Sequence, residues 1–318
     1  MRSPRWSLLI LAVPALLSAQ SLDEGVALLG KRKFEEAKGV FESILQKDGK
    51  NSEAHYRLGQ ILMTNQYRDE DGAVDHMEEA VDLNSSNADY QYGLGAAYGI
   101  KAQNAGVIKQ PFLAPKVKGA FEKAVQLNPN LVEAHIGLAQ YYQRAPGFMG
   151  GDMGKAWSEA EKVVALDELR GRPLKANFFL AEKKSTEAVQ ELKLLTANRP
   201  KDWRAWRAAG NFFWRNQMPD EAVASFEKYT VMRPDTADSF VLLGRAHLQK
   251  KDADKAVALC TRALALDSNY APAFDVLGQA HELRGEKKEA RQAYERLLAA
   301  GLSPDQKKNI EKKIKELQ

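Results

Sequence analysis

The stretch Trp206-Arg207-Ala208-Ala209-Gly210-Asn211-Phe212-Phe213 decides how the chain is read, because its glycine returns at a constant interval. Gly210, Gly244 and Gly278 follow one another at a step of 34 residues, and their neighbours travel with them. Ala188, Ala222, Ala256 and Ala290 keep that step, as do Leu192, Phe226, Cys260 and Tyr294. Small residues at one phase and mostly larger ones at another imply two helices that meet closely within each unit. A period of this length is the signature of tandem helix–turn–helix units stacked into a solenoid.

With Gly210 taken as position 8, units begin near Trp203, Ala237 and Ala271. The quoted stretch, continued by Ala222, Phe226 and Pro234, follows the pattern W-x2-L-G-x2-Y…A-x3-F…P and so resembles the tetratricopeptide repeat (TPR). That resemblance implies an all-α fold, a right-handed TPR solenoid, and a concave groove that binds a partner. Upstream, Leu169 to Asp202 is a worn unit in which Ala176 replaces the glycine and Pro173 is placed to start the first helix. Before it come Leu138-Ala139 with Ala156 and Ala160, Leu94-Gly95 with Phe121 and Ala124, Leu58-Gly59 with Ala73 and Ala80, and an opening unit with Leu28, Ala37 and Phe41. About eight repeats result. Ser303-Pro304-Asp305 reads as the start of a charged helix over 303–318, with Ile310, Ile314 and Leu317 as its buried stripe, which suits a terminal cap. No Gly/Ser/Pro-rich linker interrupts residues 20–318, which read as one solenoid domain.

Two repeats are longer than the period. About ten extra residues fall in 103–116, and about five fall around Ala145-Pro146-Gly147-Phe148-Met149-Gly150-Gly151-Asp152. Insertions of this kind are expected as loops at the solenoid edge. The second insert resembles a loop of exported bacterial TPR proteins, and Asp152 is placed to cap the next helix.

Arg2 and Arg5, the apolar run Leu8–Leu17 and then Ser18-Ala19-Gln20 read as a signal peptide over residues 1–19. A membrane span needs about 20 apolar residues, so no stable insertion is expected once the segment is removed. The implied localisation is periplasmic or secreted. The chain carries 46 Lys and Arg against 42 Asp and Glu, a formal +4. Loss of Arg2 and Arg5 with the signal brings it nearer balance, which argues against nucleic acid as a partner. Cys260 is the single cysteine and closes no intrachain disulfide; its phase, shared with Phe226 and Tyr294, makes it a small buried residue.

Catalytic constellations dissolve into the repeat. Gly93-Leu94-Gly95-Ala96-Ala97-Tyr98-Gly99 lies within a first helix with no strand before it, so it is no dinucleotide loop. Gly150 to Ala156 lacks the spacing and the Ser/Thr of a phosphate loop. His55 and His135 share one repeat position, and His247 and His281 share another, as packing residues do. No zinc-protease or nucleophile-elbow motif is present, so neither metal, cofactor nor catalysis is expected.

What remains is the groove. In TPR proteins first-helix positions 2, 5, 9 and 12 line it, and here these include Tyr56, Tyr92, Gln140, Gln143, Asn177, Arg204, Arg207, Asn211, Trp214 and Arg245. Arginine grips carboxylates bidentately and asparagine holds peptide backbone, so the partner implied is a protein or peptide, carboxylate-bearing if the arginines take part. The residue types are similar to the carboxylate clamp of chaperone-binding TPR domains, without matching its lysine–asparagine positions one for one. The competing reading pairs these arginines with neighbouring acids. An alternative function is a small-molecule or lipid carrier with its pocket under the inserts near 103–116 and 145–152, lined by Tyr92, Tyr98, Phe112, Tyr141, Phe148 and Met149. A structural adaptor in envelope assembly is a third.

The N-terminal order predicts a mature protein that begins at Gln20 or within a few residues of it. Intact-mass measurement on native material checks this; a chain that retains Met1 contradicts it.

Overall fold

In a computed structural model of the protein, residues 21–302 and 304–318 are described. The segment read as a signal peptide, and Ser303 at the start of the expected cap, lie outside them. Among the described residues every regular element is helical, in eight pairs and a terminal helix. The chain gathers into two compact units, one ending at Leu127 and one beginning at Asn128.

The first unit holds α1 (Leu22–Gly30) with α2 (Phe34–Lys47), α3 (Ser52–Leu62) with α4 (Glu70–Leu83), and α5 (Ala88–Asn104) with α6 (Gln110–Leu127). The second holds α7 (Val132–Arg144) with α8 (Met153–Leu166), α9 (Glu168–Ala181) with α10 (Ser185–Asn198), and α11 (Trp203–Arg215) with α12 (Pro219–Met232). It continues with α13 (Ala237–Gln249) and α14 (Ala253–Leu266), α15 (Ala271–Arg284) and α16 (Lys287–Ala299), and ends in α17 (Pro304–Glu316).

Local chemistry starts and stops these helices. The side chains of Ser21, Asn51, Asp69, Asn87, Asp152, Asp167, Asp202 and Asp252 each accept a backbone N–H of the helix that follows. Within the pairs formed by α9 to α16, the turn between the two helices puts Lys183, Gln217, Lys251 and Gly285 at φ of 62°, 59°, 63° and 75°. That left-handed position recurs at the repeat period, and only Gly285 meets it with the residue that tolerates it best.

The pairs close through a recurrent fit. A methyl group added at Gly210 would meet the Phe226 ring at 2.5 Å, one at Gly278 the Tyr294 ring at 2.3 Å, and one at Gly95 the Phe121 ring at 2.6 Å. Gly25 stands at 2.5 Å from the Phe41 ring by the same measure, so the opening repeat makes this contact too. Where the first-helix residue is Ala176, the facing residue is the smaller Leu192, and both are fully buried. At Gly244 the facing residue is Cys260, 3.1 Å from an added methyl. Cys260 is fully buried, as its phase implied, and burial pushes its thiol up to about 12, so it is neither nucleophilic nor exposed.

Two expectations about the irregular repeats are corrected. The insert at 103–116 is not a loop for most of its length: α5 and α6 run to 17 and 18 residues, and only 105–109 link them. Pro111 is accommodated because it falls in the first turn of α6, where backbone N–H groups have no helical partner to lose, whereas Pro115 is an interior residue of that helix. Likewise Pro173 does not start α9. Asp167 caps it at Leu169 N–H, and Pro173 is an interior residue. The insert after α7 is a loop as expected, and a tightly built one. Residues Gly147–Met149 form a 3-10 turn, Gly150 is left-handed at φ 91°, Asp152 N–H donates to Tyr142 O at 2.9 Å, and the Tyr141 hydroxyl donates to Met149 O. A methyl at Gly151 would sit 1.7 Å from Ala145 O, so this position admits glycine alone.

The terminal helix behaves as a cap. Ile310 is buried, Ile314 and Leu317 join the same apolar cluster, and Lys313 binds both Glu282 carboxylate oxygens at 3.0 Å and the Tyr294 hydroxyl at 3.1 Å.

Candidate binding face

The arginines singled out from the sequence are engaged with acids of their own chain. Arg204 reaches back to Asp202, with Nε and Nη2 each donating at 2.9 Å to one carboxylate oxygen. Arg207 on α11 donates through Nε to Asp238 on α13 at 2.9 Å, and the hydroxyls of Tyr229 and Tyr270 donate to the same carboxylate at 2.9 and 3.2 Å. Arg245 on α13 approaches Asp275 on α15 at 3.9 Å and lies over the Trp214 ring at 5.9 Å. Arg170 and Glu133 make the corresponding bridge from α9 to α7 at 2.6 Å. Arg207, Arg245 and Arg170 thus tie successive first helices together while Arg204 pairs within its own helix start, which is the competing reading of the cluster. Trp214 is the platform for one of them.

Electrostatics agree. Burial raises the Asp238 carboxyl, but the Arg207 guanidinium and the two tyrosine hydroxyls more than reverse this and hold it below its ordinary value of 3.8. The Tyr270 hydroxyl, half-buried beside that carboxylate, is pushed up to about 12.

The tyrosines of the first unit also serve packing. Tyr56 is only 7% exposed, with its ring centroid 4.9 Å from that of Tyr90. Tyr92 is half-buried with its ring 6.0 Å from Phe121. Tyr56 is therefore corrected from a contact residue to a core residue, because position 5 of α3 turns toward α5. The rings proposed as a carrier lining do not fit that role either: Phe112 is 75% exposed and Phe148 82%, each at the surface of its own unit. Tyr98 is buried and donates to Glu78.

Asn177 belongs to a different constellation. With Gln140, Gln143 and Arg144 it lines an open cavity of about 490 Å³ between α7 and α9, floored by Leu174, Phe178 and Ala181. None of these four polar side chains has a hydrogen bond or ion pair among the described residues, and neither does Asn211 on α11. Sequence reasoning singled out Gln140, Gln143, Asn177 and Asn211 by their first-helix positions and passed over Arg144, the last residue of α7, one position beyond that pattern. A signal was available, since the four residues on either side of Arg144, Gln140-Tyr141-Tyr142-Gln143 and Ala145-Pro146-Gly147-Phe148, include no acid.

Among the described residues no cluster of three or more His, Cys, Asp or Glu could hold a metal ion, and no helix is long and apolar enough to cross a membrane. His135 is held within the fold, with Nδ1 at 2.5 Å from Glu159 and Nε2 at 2.8 Å from Pro129 O.

The profile of the tetratricopeptide repeat matches residues 22–88, 174–231 and 213–271, together just over half of the chain, and the protein belongs to that family. Its class is that of protein-interaction scaffolds, which are generally non-catalytic. No curated protein matches the sequence at a significant level. Among solved structures, yeast Tom70 is similar with a TM-score of 0.61 at 14% identity, over 90% of this chain and 59% of that one. The protein therefore spans about three fifths of the length of Tom70, and the likeness is one of fold. A thermophilic TPR protein of Thermus thermophilus matches at 18% identity over 71% of this chain and 97% of its own, with a TM-score of 0.48. A tetratricopeptide repeat protein from Parabacteroides merdae matches at 16% identity over 81% and 96%, with a TM-score of 0.47.

The Arg207–Asp238 bridge carries a prediction. Asp238 has a folded pKa below its unfolded one, so its contribution is complete above about pH 4 and is lost as pH falls below 3.8. Arg207→Ala should cost about 1–2 kcal/mol at neutral pH, the pair being partly open to solvent, and the gap from the parent should narrow in acid. Urea unfolding at pH 7 and pH 3 checks this; equal stability at pH 7 contradicts it.

Proposed function

We propose that this chain is an exported TPR scaffold that binds an extended protein or peptide segment along the first helices of its second unit, with no catalysis of its own. Export rests on the Arg2, Arg5, Leu8–Leu17 and Ala19 order. The observation that carries the binding reading is the division of labour on the α7–α11 face. Its acidic and basic side chains are mostly spent on one another, whereas Gln140, Gln143, Asn177, Asn211 and Arg144 have no partner among the described residues. Side-chain amides hold peptide N–H and C=O groups without regard to sequence. Arg144, which has no acid of its own among the described residues and stands beside Gln143 and Asn177 at the cavity, is then the group that takes a partner's carboxylate, in place of Arg204, Arg207 and Arg245. Helices fixed by the ion-pair bridges hold these groups in place before the segment arrives, which lowers the entropy lost on binding.

Affinity capture from the native envelope supplies the partner, and variants then test the face. Arg144→Gln should weaken binding about tenfold or more, the scale of a charged hydrogen bond, and Asn177→Ala a few-fold. Arg207→Ala should leave affinity near that of the parent. Unchanged affinity in both Arg144→Gln and Asn177→Ala would exclude this face.

A further inference from the structure

A second cavity, in the first unit, has a different chemistry. It measures about 330 Å³ and opens where α3 ends, α4 begins and α5 runs past them. Its floor is apolar: Leu62, Ala73 and Ala97 are buried, and Met63 and Ile100 are half-buried. Around it stand Asn65, Arg68, Glu70 and Asn104.

Arg68 and Glu70 are two residues apart and of opposite charge, yet no ion pair joins them. Elsewhere this chain closes that spacing readily: Arg204–Asp202 at 2.9 Å, Lys184–Glu182 at 2.6 Å and Arg233–Asp235 at 3.2 Å are all pairs of residues two apart. Two local features keep Arg68 and Glu70 separate. Arg68 is in the left-handed region at φ 51°, which sends its side chain away from that of its helical neighbour. Glu70 accepts a hydrogen bond from the Asn104 amide, which fixes its carboxylate on the α5 side of the cavity. Asp69, between them, is occupied as the cap of α4 through Gly72 N–H at 3.0 Å. The result is a separated cation and anion over an apolar floor, with the unengaged Asn65 amide beside the cation.

We infer that this cavity binds a small zwitterion with an apolar side chain, of the chemical class of a free apolar α-amino acid. An anion alone would meet Glu70, a cation alone would meet Arg68, and an uncharged apolar molecule would cover both charges without pairing either. A zwitterion answers both: its carboxylate goes to Arg68 and Asn65, its ammonium to the Glu70 oxygen that Asn104 leaves open, and its side chain to Leu62, Met63 and Ile100. The site is independent of the peptide face of the second unit and stands or falls separately.

The full chain, freed of its first 19 residues, is screened by thermal shift against the standard L-amino acids at millimolar concentration, and the best is titrated calorimetrically. L-leucine, isoamylamine, 4-methylpentanoic acid and N-acetyl-leucine are titrated beside it. An apolar L-amino acid should give saturable binding, while the amine, the acid and the acetylated form should bind at least tenfold more weakly. Arg68→Gln and Glu70→Gln should each weaken the amino acid by at least tenfold without lowering the melting temperature of the free protein. No saturable binding by any amino acid overturns the inference, as does equal binding of the amine or the acid alone, or undiminished binding in Glu70→Gln. Capture of a protein partner through Arg144 and Asn177 is unaffected by any of these outcomes.

Discussion

The contact between a first-helix position with no side chain and an aromatic ring from the second helix is the constraint on which four of the repeats depend. Gly25 under Phe41, Gly95 under Phe121, Gly210 under Phe226 and Gly278 under Tyr294 all leave less room than one methyl group needs. Burial of a ring of this size contributes about 1.5–3 kcal/mol, but only if the helices approach closely enough to exclude water from both faces. Where the ring is absent the crossing is filled differently, by Ala176 against Leu192 and by Gly244 against Cys260. Close contact is what is kept at these crossings, and a close-packed interior demands that.

Holding the pairs at one separation fixes where the remaining first-helix positions point. In the second unit this brings Arg207 within reach of Asp238, and Arg245 within reach of Asp275, each on the next first helix. The bridges are partly exposed and individually modest, but they remove most of the free charge from the face. What is left open at the α7–α9 cavity is chemically simple: the amides of Gln140, Gln143 and Asn177 and the Arg144 guanidinium beside Leu174 and Phe178.

The fold was legible because its causes are local and repeat. The spacing between a small first-helix residue and the residue that faces it recurs from repeat to repeat, so Gly210, Gly244 and Gly278 announce the architecture, and Ile310, Ile314 and Leu317 announce the cap. Gly25 was overlooked because Leu28 drew attention in a short opening helix, although Phe41 stands sixteen residues after it as Phe226 does after Gly210. The start of α9 was misplaced because Pro173 is a strong local signal, and Asp167, a better cap, lies outside the repeat frame. The groove positions were legible as positions, but their use was not. Whether Arg207 meets a ligand or Asp238 depends on a partner 31 residues away on a different helix, and one sequence offers both readings. Arg144 escaped because it lies at a helix end, where a loop geometry that only the fold reveals decides which way it faces.

The most direct test of the account is a double-mutant cycle between Gly210 and Phe226, read by urea unfolding. Gly210→Ala should cost about 1–3 kcal/mol in the parent, the range for overpacking a filled core. The same change should cost far less once Phe226→Leu has vacated the space, which gives a coupling well above the roughly 0.5 kcal/mol expected of independent sites. Additive costs would show that the glycine and the ring do not set the helix separation, and would contradict the account.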